Sequence, residues 1–139
     1  MTRIVFAPLV LGAAIAFAGP ASAETFKATL DGKSEVPATT SAATGSADID
    51  YDAASKKLSW KVTYSGLSGP ATAAHFHGPA EGGKNAGVAV AIPNAGSSPV
   101  EGSATLTDAQ AADLAGGKYY INIHTAANPG GEIRGQVTK

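Results

Sequence analysis

The chain of 139 residues contains no cysteine, and its one methionine is the first residue. Without thiols there can be no disulfide, no thiolate metal ligand, no cysteine nucleophile and no lipid attachment through an N-terminal cysteine. Charge is also sparse. Lys and Arg number 10 and Asp and Glu 11, scattered without runs, so the basic footprint that nucleic acid or anionic lipid requires is missing. One apolar run extends from Ile4 through Phe17; nothing after it approaches the roughly 18 residues of a spanning helix. No nucleophile elbow, Walker loop or dinucleotide fingerprint is present, and Gly82-Gly83 and Gly130-Gly131 lack the following helix that phosphate binding needs. Chemistry therefore has to come from histidine, carboxylates, hydroxyls and backbone.

The N-terminus reads as an export signal. Arg3 gives the positive start, residues 4–17 the apolar stretch, and Ala21-Ser22-Ala23 the small-x-small cleavage site. The mature protein is expected to begin at Glu24 and to reside in the periplasm or the medium, with no membrane insertion once the signal is removed. Residues 24–139 suffice for one domain with a single core.

From Thr25 onward the hydrophobic pattern has period two and is interrupted every eight to twelve residues by Gly, Pro, Asn or Ser, as in an antiparallel β domain. Leu58, Trp60, Val62 and Tyr64 alternate with Ser59, Lys61 and Thr63. Similar alternation runs through Phe26, Ala28 and Leu30; Ala47, Ile49 and Tyr51; Val88, Val90 and Ile92; Ala104 and Leu106; Tyr119, Ile121 and Ile123; and Ile133 and Val137. The pattern predicts about eight antiparallel strands in an all-β Greek-key sandwich or barrel. One short helix is expected where Thr107-Asp108-Ala109-Gln110 forms a capping box, ending at Gly116-Gly117. Residues 79–87, 93–102 and 126–131 lack periodicity and read as loops, and the Ala/Ser/Thr stretch 38–43 as a flexible connection.

All three histidines fall in two predicted strands, Ala74-His75-Phe76-His77-Gly78 and Ile121-Asn122-Ile123-His124-Thr125. Side chains alternate along a strand, so His75 and His77 share a face, roughly 6 to 7 Å apart. Ala74 and Phe76, like Ile121 and Ile123, match the apolar faces, so all three imidazoles point away from the core. Three imidazoles favour copper(II) or zinc and leave an open coordination position. Glu132, across the Asn128-Pro129-Gly130-Gly131 turn from His124, is a candidate fourth ligand, with Glu35 a weaker one. The bland alternatives are histidines decorating a polar sheet face, and a surface ion pair between Glu132 and Arg134 worth roughly 0 to 1 kcal/mol.

The segments Ala74-His75-Phe76-His77-Gly78-Pro79-Ala80, Leu106-Thr107, the run from Tyr119 through Gln136 (YYINIHTAANPGGEIRGQ) and the early Ser34-Glu35-Val36-Pro37 together resemble the CHRD domain, the module first described in chordin. The resemblance implies an extracellular β domain and brings no catalytic residues. Two functions are consistent with it: a module holding copper or zinc through the histidines, or a metal-free domain that binds another extracytoplasmic protein through its loops.

Overall fold

Alternating apolar residues become the inner face of a single eight-stranded sheet. The structure is a computed structural model describing residues 23–139; the expected signal segment, apart from Ala23, lies outside the described residues. The strands are β1 (Glu24–Asp31), β2 (Thr44–Asp52), β3 (Lys57–Ser65), β4 (Ala71–His77), β5 (Val88–Ile92), β6 (Val100–Thr105), β7 (Tyr120–Thr125) and β8 (Ile133–Gln136), with α1 (Asp108–Ala115) between β6 and β7. Every pairing is antiparallel. The order is β5-β4-β7-β8-β1-β2-β3-β6, and the two edge strands approach each other to give a nearly closed barrel. β7 lies beside β4 rather than beside β6, the returning connection of a Greek key.

The interior is filled as the period-two pattern requires. Phe26, Leu30, Ile49, Leu58, Val62, Phe76, Ile121, Ile123 and Ile133 are buried. Trp60 packs edge-on against Phe76, ring centroids 5.3 Å apart, a contact worth roughly 0.5 to 1.5 kcal/mol beyond the buried area. Two glycines let this wall close. A Cβ at Gly102 would lie 2.7 Å from the Trp60 ring, and one at Gly135 would strike the backbone of Thr29 where β8 crosses β1. The expected helix forms, with Thr107 Oγ1 accepting from Gln110 N and the Gln110 side chain accepting from Thr107 N. Leu114 anchors it in the core, and Gln110 Nε2 donates to Ala89 O on edge strand β5.

Three expectations need correction. Val88 is exposed, because β5 is an edge whose first residue lies beyond the core. Gly102 belongs to β6 and not to the preceding loop. Residues 38–43 form no slack connection, since Thr39 Oγ1 donates to Glu132 O and Ser41 Oγ to Glu132 Oε2. The last correction bears on the site: the outer face of β7 and β8 is roofed by residues 32–43 and 78–87, so Tyr120, Asn122, Glu132 and Arg134 are buried although they point away from the core.

Candidate metal centre

β4 and β7 pair so that His75 faces Asn122 and His124 lies opposite Ala73. This places His124 one strand over from the His75 and His77 pair. The β4–β5 register shifts between Phe76 and His77, a local irregularity of the kind that re-aims a side chain. His77 is buried while His75 and His124 are half-buried. One ring nitrogen from each histidine lies within 4.8 Å of the others. His75 Nδ1 and His124 Nε2 are 3.2 Å apart, close to the roughly 3.3 Å separating two nitrogens on a tetrahedral zinc with 2.0 to 2.1 Å bonds.

The backbone fixes which nitrogens are free. His77 Nδ1 lies 3.0 Å from Ala86 O and His124 Nδ1 2.8 Å from Pro129 O. A carbonyl only accepts, so both Nδ1 atoms carry the proton and both Nε2 atoms present lone pairs. This is how metal-ligating histidines are ordinarily oriented, one nitrogen toward the ion and the other donating to an acceptor behind it. His75 Nδ1 then donates to His124 Nε2. Burial pushes the His75 imidazole below its ordinary pKa, and the neighbouring His124 and His77 add to the effect. For His77, burial again lowers the pKa, against the hydrogen bond at Ala86 O and the nearby Asn122 amide, which raise it. Both rings stay neutral at neutral pH, the form a metal needs.

Around this triad the outer face is a stack. The Tyr120 ring lies parallel to His77, 4.9 Å between centroids at 4°, and the Arg134 guanidinium covers its other side at 3.4 Å. Tyr120 Oη accepts from Ala86 N and donates to Ala86 O. Arg134 donates through Nη1 to Asn85 Oδ1 and through Nη2 to Lys84 O, and Asn85 Nδ2 donates to Val36 O. Residues 78–87 are thereby strapped to the sheet and to residues 32–43. Arg134 is no surface partner of Glu132; it is 2% exposed and stacked.

Glu132, expected as a fourth ligand, is not brought to the histidines. Its carboxylate accepts from Ser41 Oγ, Ser68 N, Ser68 Oγ, Thr125 Oγ1 and Asn128 Nδ2. Burial alone would raise its pKa, but the hydrogen bonds from Ser68, Thr125 and Ser41 outweigh it and hold the group at about 2. With its lone pairs occupied, this carboxylate fastens three loops to the barrel. Glu35 is buried beside Arg134 and Asn122, where loss of hydration pushes its pKa up against the pull of Arg134. Asn122 and Tyr120 were not foreseen as parts of the site. Their signal was present, since in Tyr120-Ile121-Asn122-Ile123-His124 they share the face of His124 at period two.

The pairing of a histidine-bearing β4 with β7, followed by the β7–β8 hairpin, is the same succession that carries the sequence resemblance. The CHRD domain family model matches residues 26–137. The chain belongs to the CHRD family. The match runs from the third residue of β1 to just past β8 and includes all three histidines. CHRD domains are extracellular binding modules. Neither a curated protein nor a solved structure matches the chain. Among the described residues of this CHRD domain, no helix is long and apolar enough to cross a membrane.

Proposed function

We propose that this CHRD domain is exported to the periplasm or the medium, through cleavage of residues 1–23, and there holds one copper(II) or zinc ion through His75, His77 and His124. The observation that carries the reading is the pair of carbonyls, Ala86 O and Pro129 O, which aim the Nε2 lone pairs of His77 and His124 into the triad. Surface histidines without a ligand have no need of such backing. A tetrahedral ion would draw nitrogens that now lie within 4.8 Å of one another to roughly 3.3 Å. The His75 proton shared with His124 moves to Nε2 of His75, so that the ring stays neutral as the ion takes its place. Imidazole suits copper(II) and zinc, and no soft sulfur donor competes. The task of such a module is sequestration or delivery of the ion, or stabilisation of the fold by it.

The alternative, a metal-free domain that binds another extracytoplasmic protein, predicts an exposed apolar patch. Val88 is the one large hydrophobic exposed among the described residues, which favours the metal reading. The deciding experiment is metal content and titration of untagged protein beside a His75→Ala, His77→Ala, His124→Ala variant. Stoichiometric copper or zinc binding that the variant loses supports the proposal. Binding no tighter than the variant's refutes it and leaves the loops as the functional surface.

A further inference from the structure

Three buried acceptor atoms around the site have no donor. His77 Nε2, Asn122 Oδ1 and Glu35 Oε1 lack hydrogen-bond partners, on residues that are 8%, 3% and 6% exposed. Such an omission is costly, and a cluster of acceptors calls for a cation or a strong donor. The metal ion of the proposed function satisfies His77 Nε2. It leaves the two oxygens unexplained.

The orientation of Asn122 is determined by its surroundings. Its Nδ2 faces Gly130 O at 3.5 Å and lies beside the carboxylate of Glu35. Turning the amide over would set Oδ1 against a carbonyl and a carboxylate. Oδ1 is therefore held toward His77, the other neighbour of this side chain, and the strand register puts Asn122 directly opposite His75. Gly131 makes the approach possible: with φ at +125°, a Cβ there would overlap Glu35 Oε1 and lie 2.7 Å from Asn122 Nδ2. A neutral amide oxygen thus lies beside His77 at the edge of the triad.

We propose that Asn122 is the positioning residue for the fourth ligand of the metal centre: its Oδ1 accepts a hydrogen bond from the water in the open coordination position, and Glu35 fixes the amide for that purpose. Water on a divalent ion is a much stronger donor than bulk water, which suits an acceptor already dehydrated. The proposal rests on the three-histidine reading, and its test separates the two. Copper(II) is loaded into the untagged wild-type protein and into Asn122→Leu and Glu35→Gln variants. Nitrogen hyperfine couplings read the histidines, proton couplings that vanish in heavy water read the bound water, and a competing chelator gives affinity.

In Asn122→Leu the histidine nitrogen couplings persist, the exchangeable-proton couplings change, and affinity falls about 10- to 100-fold, as for other groups behind metal ligands. Glu35→Gln gives an intermediate loss because its own amide can turn. A folded Asn122→Leu protein with unchanged affinity and unchanged exchangeable-proton couplings overturns the proposal. Should the leucine variant fail to fold, Asn122→Ala is read by the same criteria. Wild-type spectra without histidine nitrogen couplings overturn both this proposal and the metal reading.

Discussion

Replacing Glu132 by glutamine tests whether this carboxylate is a fastening for the fold or a ligand. The change keeps the volume and removes the charge. Of five donors converging on the two oxygens, those around one end of the new amide would meet an NH2 group and lose their acceptor. A carboxyl with an ordinary pKa of 4.5 that is held at about 2 in the fold contributes roughly 2 to 3 kcal/mol at neutral pH, after allowance for partial screening by water. Because the folded pKa is depressed, that contribution is fully present above the unfolded value of 4.5 and is lost as pH falls toward about 2. The variant should therefore be about 2 to 3 kcal/mol less stable in urea unfolding at pH 7, equivalent to a melting temperature lower by about 10 °C for a domain of this size. Near pH 2 the difference should shrink. Copper or zinc affinity of the folded variant should stay within a few-fold of wild type. Equal stability at pH 7, or a loss of metal with unchanged stability, would refute the reasoning and return Glu132 to the metal.

Acidification should release the metal, because protons compete for the same lone pairs; since His75 and His77 have pKa values lowered by burial, titrations at stepped pH should show affinity holding down to below the ordinary histidine value of 6.5 before it falls. Retention of the ion well into the carboxylate range would mean that non-histidine ligands hold it. Gly135→Ala should destabilise by more than about 3 kcal/mol or prevent folding, as its methyl would strike the Thr29 backbone at the β8–β1 crossing; a soluble variant with a wild-type melting curve would show that the strands can separate there. Thr107→Ala removes the acceptor for Gln110 N and should cost about 1 kcal/mol in chemical unfolding, with metal binding unchanged.

Period-two alternation assigned Phe26, Ile49, Trp60 and Ile121 to the core, and the capping box at Thr107 located α1, because these depend on local geometry that repeats every two or 3.6 residues. The parity of His75, His77 and His124 followed from the same rule. Alternation also assigned Glu132 and Arg134 to the polar face, yet their burial was not legible: facing away from the core means exposure only when nothing covers that face. Residues 32–43 and 78–87 do cover it, through Thr39, Ser41, Asn85 and Ala86, and contacts between segments so far apart leave no local pattern.

The sequence by itself determined the elements, the inward and outward faces of each strand, and the membership of His75, His77 and His124 in a common outer face. Only the tertiary structure decided that β7 lies beside β4, which converts three outward histidines into one group within 4.8 Å. It also decided that Glu132 is saturated while the Asn122 Oδ1 beneath the covering loops is left unpaired. The physical reason is that side-chain direction is set residue by residue along the backbone, whereas strand neighbours and loop coverage are set by how the whole chain excludes water from one barrel.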